Sequence, residues 1–306
     1  MNLIALLIGL IIERLATQIF HWRRMRWMDR IIDAGFHYAA RMATWPALIP
    51  VILLALLLAL PVFVVIFALG DALLGFPYLF LAIVVLFFSL GPKDIGEDVD
   101  EYCKALREDD EERIQQTAKA LVEAEVKSDP REQIQQVESA VFVQANNRLF
   151  AVIFWFVAFG PLGPLGAWAY RVTDLIRRRA VFNASREDNE AGTAARFRDA
   201  ATMLHGWLVW IPARLTAFGY AIAGHFDGAL AAWRAPRDHV ASTPSQASEM
   251  LLARVGAGAL ALHDEEDESI HERGLRGGSA ANGLVFRLLL IWAVIIAAMT
   301  LYGWTV

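Results

Sequence analysis

The chain has 306 residues, 57% of them hydrophobic, with a mean hydropathy of +0.41 and a formal net charge of −5. Its apolar residues gather in uncharged blocks, which excludes an ordinary soluble domain, because a hydrocarbon core of about 30 Å calls for roughly 20 such residues per helix. The acidic balance argues against a nucleic-acid surface, and the single cysteine, Cys103, excludes an intrachain disulfide.

In chain order, Asn2–Phe20 begins with an apolar run that then meets Glu13 and Arg14. It lacks the basic start and cleavage site of a signal peptide and is expected to stay attached, as a span with a polar face in preference to a helix lying at the interface. Six arginines against three acids mark residues 1–47 as basic. Two strong spans follow, Leu48–Leu69 and Ala72–Leu90, joined by a short hairpin at Gly70–Asp71 with no Lys or Arg. With arginines before the first and Lys93 after the second, the positive-inside rule puts the hairpin outside and the flanks in the cytoplasm.

Residues 92–147 carry seven Lys/Arg against fifteen Asp/Glu. Val99, Tyr102 and Leu106, then Ile114, Ala118 and Leu121, repeat at helical spacing and predict two short soluble helices. "REDDEER" between them reads as a solvated turn. In "SDPRE", Ser128 or Asp129 supplies a cap and Pro130 suits a first helical position, so a helix should run on toward Gly160, about 45 Å over thirty residues.

The block Leu149–Tyr170 holds "GPLGPLG" in its second half. A single crossing would carry Arg177, Arg178 and Arg179 outside, against the charge rule, so a helix that breaks and returns is favoured. Trp155 and Trp168 suit interfacial depth. Residues 180–204 are polar and partly helical. His205–Ala223, with Pro212 and Arg214 in its middle, fits either a buried span or an interfacial helix. Residues 234–282, with the acidic run "HDEEDESIHER" and the glycine-rich "GLRGGSAANG", read as a mobile region before a last span at Leu288–Trp304. The expected fold is thus all-α: a polytopic integral membrane helical bundle of four to six membrane segments, one broken at Gly160–Gly166, with helical cytoplasmic segments. The chain divides into 1–47, 48–91, 92–146, 147–180, 181–282 and 283–306.

No phosphate-binding loop, dinucleotide fingerprint, zinc-ligand pairing or nucleophile elbow occurs, so no catalytic or metal residue is expected. What stands out is polar groups at membrane depth or its edge: Glu13, Arg14, Glu138, Asn146, Arg148, Arg171, Asp174 and Arg214. Such groups either pair between helices, as Glu13 with Arg214, or serve a ligand or partner site; Arg148 and Arg171 also fit as snorkelling anchors. Glu13, Arg14, Glu138, Asn146, Arg171 and Arg214 form the candidate cluster.

"LIIERL" near the start, "ANNRLFAVIFWF" (145–156), "GPLGAWAYR" (163–171) and "WIPARLTAFGYAIAG" (210–224) together resemble the AmpE family of inner-membrane proteins associated with β-lactamase induction. More distantly they are similar to the CobD/CbiB cobalamin-biosynthesis enzymes, which join an aminopropanol unit to a corrinoid carboxylate with ATP. The pattern of those ligases, E-S-x-A-E-N-x-x-D-G, appears here as "ESAVFVQANN". Glu138 and Ser139 remain, but Phe142 and Val143 replace the second acid and its asparagine, and Asn146-Asn147 replace the Asp-Gly pair. An acidic pair before W-I-P-A-R-L has become His205-Gly206.

The AmpE resemblance implies a regulatory or sensory protein of the bacterial inner membrane, multi-pass and with its polar regions mostly cytoplasmic, acting in β-lactamase induction, the response to antibiotic or cell-wall-recycling signals. The alternatives are a divergent ATP-dependent amide ligase, with Glu138, Asn146 and Arg214 as its surviving site, or a non-catalytic scaffold. No cofactor is expected except ATP and magnesium under the ligase reading. The partners expected are the lipid bilayer and proteins meeting residues 94–128, with no nucleic acid.

Overall fold

A computed structural model describes residues 25–41, 45–69, 76–91, 94–123, 125–186, 192–236, 241, 243–263 and 267–302. The expected first span at 2–20, with Glu13 and Arg14, and the hairpin at Gly70–Asp71 lie outside the described residues. Among the described residues every regular element is helical.

Helix α1 (Arg26–Ala40) and α2 (Leu48–Leu69) come first. The 21 apolar residues Leu48–Ala68 are long enough to cross a bilayer, about 32 Å at helical rise. This helix exposes Leu53, Leu56, Leu57, Leu60, Phe63 and Phe67, as a helix facing lipid must. Helix α3 (Phe76–Ser89) is apolar but only 14 residues long. Two soluble-type helices follow, α4 (Ile95–Glu108) and α5 (Glu111–Val122), capped by Asp94 and Asp110. Both predicted apolar stripes are buried.

Asp129 caps α6 (Pro130–Ala145) by accepting from the Glu132 amide at 3.0 Å, with Pro130 just inside the start. The helical chain continues as expected but widens into a π-turn at Asn146–Phe150 before α7 (Ala151–Ala158). A π-turn inside an α-helix often marks a functional site. Here it carries Asn146, Asn147 and Arg148, all buried.

The chain then turns back. Gly160 adopts φ +54°, a short 3-10 turn covers Gly160–Leu162, and α8 (Gly163–Ala184) starts at once. A methyl group placed on Gly166 would lie 2.4 Å from the Trp155 carbonyl, and one on Gly163 2.5 Å from that of Phe156. So α8 returns tightly along α7, forming a helical hairpin. The two tryptophans of this hairpin also tie it to neighbouring helices. Trp155 donates its indole N–H to the Leu208 carbonyl at 3.1 Å, and Trp168 donates to that of Leu58 at 3.0 Å.

Helix α9 (Thr193–Ala223) runs unbroken through the segment at 205–223 with Pro212 inside. Trp207, Trp210, Ile211, Leu215, Phe218 and Ile222 make one exposed stripe, while Val209, Ala213, Ala217 and Tyr220 are buried. Helices α10 (Phe226–Arg234) and α11 (Pro244–Leu260) pack beside it.

Residues 234–282, expected to be mobile, contain α11 and the first turns of α12 (Ile270–Leu301), which Ser269 and Glu272 start with a reciprocal capping box. The glycine-rich run is therefore a packing surface. A methyl on Gly277 would lie 1.7 Å from a Glu138 carboxylate oxygen, and one on Gly278 3.2 Å from Cys103 Sγ. Missing side chains let α12 lie against α6 and α4, and composition alone does not separate that use from a flexible linker. The three helical stretches long and apolar enough to span a membrane, among the described residues, are 48–68, 130–158 and 270–301.

Two cores result. One joins α3–α7 with the second half of α9, α11 and α12; the other joins α1, α2, the far half of α8 and the first half of α9.

Candidate functional site

The polar residues of the π-turn and of α8 meet in a buried ion network at the base of the hairpin. Arg148 reaches Asp98 on α4 at 2.9 Å, Glu123 after α5 at 2.8 Å and Gln144 one turn back at 3.0 Å. Arg178 also binds Glu123, and its Nε donates to Asp174 at 2.8 Å. Asp174 accepts further from Arg171 at 3.0 Å and Arg177 at 3.1 Å. Arg177 in turn lies 3.5 Å from Glu249 on α11. Four arginines thus face four carboxylates, which is how charge survives burial. Outside the apolar spans, burial would raise the Glu123 carboxyl, but Arg178 and Arg148 pull it below its ordinary value. Likewise Arg179 holds Asp33 of α1 below the usual carboxylate range.

His205 and Ser245 extend the network. His205 is fully buried between Tyr170 (3.4 Å), Ser245 (3.2 Å) and Asp174 (3.7 Å). The three residue types match a hydrolytic triad, but the geometry does not. The Ser245 hydroxyl donates to Glu249 at 3.2 Å and is itself buried, so it has no access to a substrate.

A second feature is a cavity of about 600 Å³ bounded by α6, α9, α10, α11 and α12. Its polar lining includes Glu138, Ser139, Arg214, Arg254 and Arg273. Arg273 pairs with Glu138, Arg254 donates to the Ala235 and Pro236 carbonyls at 3.2 Å, and the Arg214 guanidinium lies 3.9 Å above the Trp210 ring. Trp233, Met250, Leu251 and Leu260 supply apolar wall. Helix α11 is shared by both features: Ser245 and Glu249 face the network, Met250 and Arg254 the cavity.

The candidate residues thus separate into two places. Glu138 and Arg214 line the cavity together. Arg171 lies in the ion network, and Asn146 is buried in the π-turn, donating to the Asn147 side chain at 3.0 Å. Glu13, and with it the expected Glu13–Arg214 pair, lies outside the described residues. Sequence reading singled out Arg148 and Asp174 as polar groups at depth, but not their partners Asp98 and Glu123, since nothing separates those two from the other acids of 92–147 until the fold joins them. Arg254 and Arg273 were missed because the region around them was read as mobile.

A magnesium–ATP ligase site does not fit these residues. Phe142, standing where the ligase pattern has an acid, is buried with its ring 5.0 Å from that of Tyr220, whose hydroxyl donates to the Phe142 carbonyl. The carboxylate that remains, Glu138, is held by Arg273. Magnesium takes hard oxygen ligands, and Phe142 and Val143 supply none from their side chains.

Fold and site define a polytopic helical membrane protein whose helical hairpin is pinned at its base by buried ion pairs, next to an arginine-lined cavity. The family model described as regulatory signalling modulator protein AmpE matches residues 1–306, and the chain belongs to that family. It is 25% identical to Protein AmpE of Shigella flexneri over 99% of each chain. It is also 26% identical to the cobalamin biosynthesis protein CobD of Stutzerimonas stutzeri, over 69% of this chain and 68% of that one. With CobD of Chromobacterium violaceum it shares 27% identity over 59% of its own length and 54% of the relative's. No solved structure matches the chain.

Proposed function

We propose that this chain is a regulatory protein of the bacterial inner membrane that biases β-lactamase induction or cell-wall-recycling signals. It acts as a sensor: occupancy of the cavity beside Glu138 and Arg214 moves α11, and Glu249 carries that movement to Arg177 and the ion network. The polar ends of α4–α6, α8 and α12 face the cytoplasm, where the acidic surface of 94–128 meets protein partners. The observation that carries this reading is the family match over residues 1–306, joined to the packing of Phe142 where the ligase pattern has an acid. Deleting the gene and measuring β-lactamase across a range of inducers tests it. An altered induction threshold, restored by the intact gene, is expected; an unchanged response to every inducer removes the role.

A further inference from the structure

Three arginines and one glutamate line a cavity whose remaining wall is largely apolar. Arg273 is paired with Glu138, while Arg254 donates to the Ala235 and Pro236 carbonyls and Arg214 to that of Trp210, so the guanidinium groups are held in place at the cavity wall. Guanidinium groups bind phosphate through paired N–H donors in a fixed fork, and an arginine cluster is a common means of recognising that anion.

The position of Arg214 adds a second constraint. At 100° per residue it falls on the same face of α9 as Trp207, Trp210 and Phe218, within the exposed apolar stripe. An ionisable group on a lipid-facing stripe is expensive and marks a site by default. Arg214 lines the cavity while lying above the exposed Trp210 ring, so the cavity adjoins the exposed apolar stripe of α9. Apolar wall from Trp233, Met250 and Leu251 continues inward from there. About 600 Å³ is within the usual range for one small ligand or headgroup.

We propose that this cavity binds the phosphate headgroup of an anionic amphiphile, entering from the bilayer past Arg214 and held by Arg214 and Arg254, with its chains left along the α9 stripe. Arg273 stays on Glu138 and sets the floor. The ligand class rests on the sensor reading above for its biological meaning, but binding by purified protein does not require that reading.

The test is native mass spectrometry of the full chain released from maltoside micelles. It uses three probes: dioleoyl phosphatidic acid, dioleoylglycerol with the same chains and no phosphate, and glycerol 3-phosphate with the headgroup alone. One saturable phosphatidic acid adduct is expected, with dioleoylglycerol and glycerol phosphate each binding at least tenfold more weakly. Arg254→Gln and Arg214→Gln should each weaken the adduct at least tenfold, and Arg287→Gln, on α12 and outside the lining, should leave it unchanged. Met250→Trp fills the cavity without altering charge and should abolish binding while the thermal midpoint is kept, which separates loss of site from loss of fold. Equal binding of dioleoylglycerol, equal binding of glycerol phosphate, or an adduct insensitive to both arginine variants and to Met250→Trp overturns the proposal. Loss of binding here with altered induction in the deletion strain would reject the ligand class and leave the regulatory role standing.

Discussion

Trp155 donates its indole N–H to the carbonyl of Leu208 at 3.1 Å, and Leu208 stands four residues before Pro212 in α9. Proline has no N–H, so this is the carbonyl that loses its intrahelical partner. In an apolar surrounding an orphaned carbonyl is costly, and a neighbouring helix supplies the donor. Trp155→Phe should therefore lower stability by about 1–3 kcal/mol, the cost of leaving a buried polar group unmet. In a Pro212→Ala background, where residue 212 regains its amide, the same change should cost much less. Thermal unfolding of the four proteins in detergent measures the coupling; additive losses would reject the pairing.

Arg148 holds Asp98 and Glu123 together from the π-turn. Removing it leaves two acids beside a hairpin base still crowded with charge. Arg148→Met should cost about 3–5 kcal/mol, as breaking a buried pair does. Asp98→Asn added to Arg148→Met should recover part of the loss. Midpoints of thermal unfolding provide the comparison.

Glu123 gives the pH dependence a sign. Its carboxyl is held below the ordinary value of 4.5 in the folded chain, against the effect of burial, by Arg178 and Arg148. A depressed folded value means the contribution is complete above the unfolded value and is lost as pH falls through the folded one. Below about pH 4.5 the wild type should lose thermal stability progressively, and Glu123→Gln should show a flatter acid limb. Identical slopes between pH 3 and 6 would contradict the assignment.

Gly166 and Gly283 form a matched pair of substitutions. A methyl on Gly166 meets the Trp155 backbone at 2.4 Å, whereas one on Gly283 meets nothing within 4 Å. Gly166→Ala should force the hairpin apart and reduce folded yield, with a loss on the order of 1–3 kcal/mol as for overpacking. Gly283→Ala, in a helix interior, should be neutral or stabilise by up to about 1 kcal/mol. Size-exclusion profiles and unfolding midpoints read both.

The proposed orientation predicts a labelling pattern. In a Cys103→Ala background, cysteines at Glu111 and Arg186, both exposed at polar ends of the fold, should escape an impermeant maleimide in intact cells and react after permeabilisation. A cysteine at Asp71 should react in both. Labelling of position 186 from outside would turn the hairpin over.

Much of the helical plan was legible because burial in lipid is a property of contiguous segments. Twenty uncharged residues, a Ser-Asp-Pro start or a Gly-Pro break each act within a few turns, so α2, the cap at Asp129 and the return after Gly160 could be read locally. The Gly274–Gly283 run was misread because glycine gives the same local signal in a linker as in a helix face that must approach its neighbour closely. The hydrogen bond of Trp155 was not legible for a comparable reason: its partner, Leu208, is 53 positions away.

The sequence by itself determined that this is an all-helical membrane protein, where its main apolar spans lie and which of its positions resemble the AmpE family. Tertiary structure alone decided which charges meet. Arg148 finds Asp98 fifty positions back, and Arg273 finds Glu138 across 135. The physical reason is range: hydropathy and capping act between neighbours in the chain, whereas a buried charge is stabilised by whichever opposite charge the packing of distant helices brings within hydrogen-bonding reach.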